Sequence, residues 1–191
     1  VVILNGSRKI KDGRFTKFRC FAASSEVLFP NVYESRQFNF DKLKDLRRSL
    51  VGTTRLIQNS LPRNAKYVRL HVSGDFFSQL YFDAWIVVAN RNPDVTFYAY
   101  TKSIPFWLKR LGKIPQNLVL TASLGGRYDS LVKVNNLRYA KVVFTEEEAK
   151  RLNLPIDHDD SHAISQGGNF ALLLHGVQPA KSEASLALKK L

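Results

Sequence analysis

Five runs of strand-forming residues punctuate the chain from Lys66 onward: Tyr67–Leu70, Val95–Tyr100, Leu118–Leu120, Ala140–Phe144 and Phe170–Leu174. Each is rich in β-branched, aromatic or aliphatic residues, the pattern of a strand buried in a sheet. Helical patterns fill the gaps between them. Gln79–Asn90 is apolar around much of its circumference and predicts a buried helix. Ile104–Leu111 carries Pro105 in its first turn, where a missing N–H costs nothing. Asp129–Leu137 is a weaker helical pattern. Thr145–Leu152 opens on Thr-Glu-Glu-Glu, a capping box with carboxylates over the positive end of a helix that Pro155 brings to a stop. Lys181–Leu191 predicts a closing amphipathic helix. Strands alternating with helices predict an α/β fold, a mostly parallel βα array or partial barrel of about five strands.

Ahead of this array, Ser7–Arg19 reads as a basic loop with an Asp-Gly turn, or as a hairpin or loop that packs Phe15 and Phe18 on the core, and two helices follow it. Ser24–Phe40 reads as one helix around Val27, Leu28, Val32 and Tyr33, with Pro30 near its start or at a kink. Asp41–Gln58 reads as a second, capped by Asp41, with Leu43, Leu46, Leu50 and Ile57 on one face and Gly52 weakening it. Residues 1–65 and 66–191 are read as parts of a single domain, and the 45% hydrophobic content is enough for one core. The chain opens at Val1 within an apolar run, contains no Met and shows no signal-peptide pattern, so a shortened N-terminus is expected.

Charge adds a partner class. The net charge is +13, and residues 1–70 hold 15 Lys/Arg against 5 Asp/Glu, or +10, while residues 71–191 hold 14 against 11, or +3. A basic N-terminal third suits the phosphates of a nucleic acid, and equally suits a solvated face. The candidate phosphate contacts are Arg14, Lys17 and Arg19, interleaved with Phe15 and Phe18, and Arg47, Arg48 and Arg55 on the second helix. Aromatic rings between cations suit a single strand; the alternative for Phe15 and Phe18 is packing on the core. No run approaches the roughly 18 apolar residues of a membrane span, so no membrane partner is expected and the expected location is the cytoplasm.

In a parallel array the residues that follow each strand gather along one edge. Here those residues are polar, small or ionisable, whereas the segments entering the strands are ordinary turns. His71, Asp75, Lys102, Ser123 and His175 are therefore candidate catalytic residues. Gly125, Gly126 and Arg127 could cradle an anion. His71, Asp75 and His175, joined by His158 from the loop Asp157–His162, could hold a divalent metal, against the simpler reading of that loop as solvated and acidic. Cys20 is the single cysteine, so neither a disulfide nor an iron–sulfur cluster can be built from this chain alone.

Four segments carry a resemblance: Phe18–Ser24 around Cys20, Leu70–Phe76, Phe97–Ser103 and His175–Pro179. Together they resemble the gene-product-eighty-eight-like family of phage proteins, over most of the chain. The resemblance implies a phage protein, active in the host cytoplasm, and implies no particular activity. Family members bear further cysteines upstream of the Cys20 segment, positions absent here. A looser, topological likeness links Ser73-Gly74-Asp75 and Ser123-Leu124-Gly125-Gly126 to the partial βα barrels of radical S-adenosylmethionine enzymes, whose three-cysteine motif this chain lacks. Two functions follow as expectations. One is nucleic-acid association through the basic third, with a polar cleft at the strand ends. The other is a radical-type or metal-dependent enzyme on a small substrate, its site completed by a cysteine segment ahead of Val1.

Overall fold

The computed structural model describes residues 1–12 and 17–189. It opens with a hairpin that lies earlier in the chain than the one offered within Ser7–Arg19. β1 (Val2–Leu4) and β2 (Ser7–Lys9) pair antiparallel across Asn5-Gly6, whose φ angles are 50° and 74°. Two central residues at positive φ make the tight turn whose twist matches a hairpin, and Asn-Gly is the sequence that adopts it most readily.

Three helices follow: α1 (Phe21–Leu28), α2 (Pro30–Asp45) and α3 (Leu50–Ser60). Their boundaries correct the two-helix reading. Phe29, forced into extended backbone by the following proline, ends α1, and Pro30 then occupies the first turn of α2. Asp41 is no cap but lies inside α2. The break falls at Leu46–Ser49, where the Ser49 hydroxyl accepts the Gly52 N–H at 3.0 Å and caps α3. Gly52 sits in that first turn, so it neither weakens nor bends a helix interior. Thr53 and Ile57 are buried beneath α3, whereas Leu50, expected on the same face, is exposed.

β3 (Tyr67–Arg69), α4 (Gln79–Arg91), β4 (Thr96–Thr101), α5 (Ile104–Leu108), β5 (Leu118–Ser123), α6 (Asp129–Val134), β6 (Tyr139–Val143), α7 (Glu146–Arg151), α8 (Ser161–Ile164), β7 (Phe170–Leu173) and α9 (Glu183–Leu188) complete the chain. The last five strands form one sheet in the order β3-β4-β5-β6-β7, every neighbouring pair parallel, and the sheet curls into a half-barrel. Spatial order equal to chain order is what successive right-handed crossovers of one sense produce. β5 and β6 pair over only two positions, Ala122↔Tyr139 and Ser123↔Ala140, a stagger of the kind that curls a sheet.

Strand alternation splits the interior in two. Phe97, Ala99, Leu118, Leu120 and Ala122 face α3–α6 and pack with Phe82, Trp85 and Val88 of α4. Tyr98, Val119 and Phe170 belong to a second cluster closed by Ala163 of α8. The helix α8 lies on the sheet face opposite α4 and so lines the hollow of the half-barrel. The sequence reading left this helix out. Buried Asp157 fixes the turn into it by accepting the N–H groups of Asp159 (3.4 Å) and Ala163 (3.1 Å). Arg138 holds the far end, donating to the carbonyls of His162, Ser165 and Gly168. The predicted cap at Thr145 forms, with its hydroxyl accepting the Glu148 N–H at 3.2 Å.

Candidate functional site

The residues after β3, β4 and β5 are joined at the C-terminal rim of the half-barrel. Asp75 is the first clasp. Its Oδ1 accepts the Thr101 hydroxyl at 2.6 Å and the Phe76 N–H at 2.7 Å, and its Oδ2 accepts the Lys102 N–H at 2.7 Å. Gly74, at φ 82°, turns the chain so that the carboxylate can reach β4. Lys102 is the second clasp. Although the residue as a whole is exposed, its ammonium turns inward and donates to Ser123 O (2.7 Å), Ser123 Oγ (3.1 Å) and Leu124 O (2.8 Å). Desolvation lowers its pKa below the ordinary lysine value, against the opposing charges of Asp129, Asp75 and Cys20. Three of the candidate catalytic residues, Asp75, Lys102 and Ser123, are thus brought together, and their polar atoms are spent on fixing the rim.

The open side of the half-barrel is spanned by the Cys20 segment and α1. Phe18 packs edge-on against Phe144, just after β6, with ring centroids 6.3 Å apart. The Arg19 backbone exchanges two hydrogen bonds with the Gln178 side chain, at 2.7 and 3.1 Å. Phe21 lies 5.0 Å from the His175 ring, and a Cβ on Gly176 would come within 3.2 Å of Phe21 Cβ. Glu26 on α1 accepts from Ser73 (2.9 Å), after β3, and from Arg36 (3.1 Å). One short segment therefore touches the loops after both edge strands. It also leaves Cys20 exposed at the mouth, close to Lys102. The four segments singled out in the sequence meet here.

The remaining candidates take no part in these clasps. The Gly125 and Gly126 N–H groups do converge on an anion, but it is the chain's own Asp129, which accepts both at 2.9 Å. Arg127 lies over the Tyr128 ring, 5.8 Å from its centroid. His71 turns away from the rim toward α4, with Nε2 3.2 Å from the Tyr81 hydroxyl and Phe76 packed edge-on against its ring. His158 and His175 line a separate cleft of about 440 Å³ with Asp157, Asp159 and Asp160. Among the described residues no group of three His, Cys, Asp or Glu side chains is placed to hold a metal ion, so His71, Asp75, His158 and His175 are not gathered as that reading requires. Of the basic loop, Arg14 lies outside the described residues, Lys17 is exposed, and the Arg19 guanidinium is paired with Asp12 at 2.5 Å.

Burial pushes the His71 pKa down from 6.5 to about 4, with Asp75's charge opposing the shift. A depressed folded-state pKa contributes stability above the unfolded value and loses it as protons bind the unfolded chain. The protein should therefore lose stability as pH falls from 6.5 toward 4, and His71→Gln should blunt that loss. Thermal melts of both proteins across this interval measure it; identical pH profiles would show that His71 is not the sensor.

Sequence reasoning missed the residues that build the hollow. Asp160, at φ 63°, accepts Arg69 Nη1, the Tyr98 hydroxyl and the Tyr100 hydroxyl, each at 3.0 Å. Burial first, and then the charge of Asp160, raises the pKa of both tyrosines, so the hydroxyls remain donors. Asp160 was visible only as one acid among several in its loop. Asp129 had a signal, an acid three residues past Gly-Gly that can reach back to two N–H groups. Gln178 stood among the residues after the last strand, with nothing to mark Arg19 as its partner, and Glu26 had no signal because Ser73 is 47 residues away.

The family model described as Gene product 88 matches residues 12–189. The Gene 88 protein of Mycobacterium phage L5 is 33% identical over 92 residues, which is 44% of this chain and 38% of that protein, so the match spans well under half of the relative's length. No solved structure matches the chain. The model covers all four rim segments and nearly every residue of the fold they close, and the chain belongs to the Gene product 88 family.

Proposed function

We propose that the chain binds nucleic acid through a belt of cations on and around α3. One observation carries the reading. Between Asp45 and Asp75 the sequence has no acidic residue, and it places Arg47, Arg48, Arg55, Arg63 and Lys66 there, all exposed. None of these five takes part in an ion pair among the described residues, whereas the nearby Arg36 and Arg69 are both paired. Unpaired exposed cations are available to displace the counterions of phosphates. Arg19, tied to Asp12, contributes less to this surface than its charge suggests.

The reading predicts binding whose logarithm falls linearly with the logarithm of salt concentration, by roughly 0.7–0.9 per phosphate contacted. Arg47→Glu with Arg48→Glu should weaken binding about tenfold or more and flatten that slope. Fluorescence anisotropy with labelled oligonucleotides over a salt series measures both. Binding that is absent, or that ignores salt, would sink the reading.

A second reading is an enzyme at the rim, and the exposed Cys20 thiol at the mouth favours it. This chain's own residues do not fit an iron–sulfur cluster, since one thiolate and no gathered metal ligands among the described residues cannot hold it. The reading therefore depends on cysteines outside the chain. It predicts that the protein extended by its natural upstream residues, purified without oxygen, is brown and carries iron; a colourless, iron-free product would remove it.

A further inference from the structure

A cleft of about 400 Å³ opens at the rim between the loops after β3, β4 and β5. Its walls are aromatic, formed by Phe76, Phe77, Phe106 and Tyr128, and its cations are Lys102 and Arg127. The one carboxylate in its lining, Asp75, is saturated by the Thr101 hydroxyl and the N–H groups of Phe76 and Lys102. Arg127 has no carboxylate partner among the described residues. The cleft thus combines ring faces with an available positive charge.

The aromatic surface continues outward. Phe77, 37% exposed, stacks on Tyr81 at 4.8 Å and meets Phe40 of α2 edge-on at 5.4 Å. Lys44 lies over the Phe40 ring and Lys42 over the Phe38 ring, at 6.0 and 5.2 Å. Phe38 and Phe40 are 61% and 41% exposed, and α2 buries none of its residues. A surface helix that holds its aromatic rings in water, each beside an ammonium, leads directly to the cleft.

We infer that this track and cleft bind a single-stranded nucleic acid, with one base inserted among Phe77, Phe106 and Tyr128 and the adjoining backbone on Arg127 and Lys44. Ring faces beside cations match a base and its phosphate, and only an unpaired strand can turn a base out to reach them. A duplex keeps its base faces stacked on one another and so has none to offer these rings. The inference rests on the nucleic-acid reading above and adds strandedness and a place to it. α2 carries three basic and three acidic residues, Arg36, Lys42 and Lys44 against Glu34, Asp41 and Asp45, so it adds no net charge. Stacking and the α3 belt are therefore separable contributions.

The test is anisotropy with the full chain, using a short labelled oligonucleotide and the duplex of the same length. Wild type is expected to prefer the single strand. Phe77→Ala should weaken single-strand binding by roughly 5- to 150-fold while leaving duplex affinity and the salt slope unchanged. Arg127→Ala should weaken single-strand binding and lower the slope by about one contact. Phe77 is partly exposed, so an unchanged thermal melt would show that its variant still folds. Equal affinity for both forms, or a folded Phe77→Ala that binds the single strand as wild type does, would overturn the inference and leave the belt intact. A free nucleoside monophosphate that binds the cleft when no oligonucleotide binds would also overturn it, assigning the cleft to a small ligand. Failure of Arg47→Glu with Arg48→Glu to weaken either form would instead overturn the belt.

Discussion

Asp160→Ala should destabilise the protein by about 4–5 kcal/mol, the sum of a lost ion pair, two lost hydroxyl acceptors and backbone strain. The Arg69 guanidinium, partly buried and tied to Asp160 at 3.0 Å, loses its counter-charge. Two tyrosine hydroxyls, from Tyr98 and Tyr100, lose their acceptor at roughly 1 kcal/mol each. Position 160 also sits at φ 63°, where an alanine strains by about 1 kcal/mol and an asparagine does not. Arg69 and Asp160 keep side-chain exposures of 30% and 25%, so the ion-pair loss falls below that of a fully buried pair. Asp160→Asn is expected to be milder, about 1–2 kcal/mol, because a hydroxyl such as that of Tyr100 can rotate to accept from the amide. Urea unfolding midpoints of the two variants test this. Equal losses would show that the hydroxyls do not adapt, and a negligible loss in both would show that the hollow is held by apolar packing alone.

The rim clasp should answer the same pair of substitutions differently. Asp75 accepts two backbone N–H groups, from Phe76 and Lys102, and neither can become an acceptor. An amide at position 75 must therefore aim its NH2 at one of those donors, whichever way it is flipped. Asp75→Asn and Asp75→Ala are expected to cost about the same, roughly 2–4 kcal/mol, since each leaves partly buried donors unsatisfied. Hydrogen exchange would show faster turnover at Phe76 and Lys102 in both variants. An asparagine variant as stable as wild type would mean that the carboxylate is not the clasp.

The two carboxylates illustrate what makes a candidate residue hard to classify from sequence. Asp75 stood out by position, after a strand and beside Gly74, and that position is also where a catalytic acid would stand. Two of its three hydrogen bonds come from Thr101 and Lys102, 26 and 27 residues away, and they make it a fixed part of the rim. Asp160 stood in an acidic loop that suggested metal ligation. Its partners are 60, 62 and 91 residues distant, and they make it the anchor of that loop in the hollow. The Gly125-Gly126 pair does bind an anion, as its backbone permits, but the chain supplies the carboxylate from Asp129.

The sequence by itself determined the local elements of the βα array. Strand runs, the Thr145 cap and the alternation of strands with helices depend on side-chain spacing within a few residues, and all five strands follow as a parallel sheet. Parallel pairing then fixes which ends of the strands share a rim, so the gathering of those loops along one edge was legible as well. Only the tertiary structure decided which polar groups at that rim are spent on one another and which remain available. It also decided that α1 spans the open side and that Phe40 meets Phe77. Those outcomes depend on contacts between residues far apart in the chain, and the distance between such partners is set by packing, which no local pattern records.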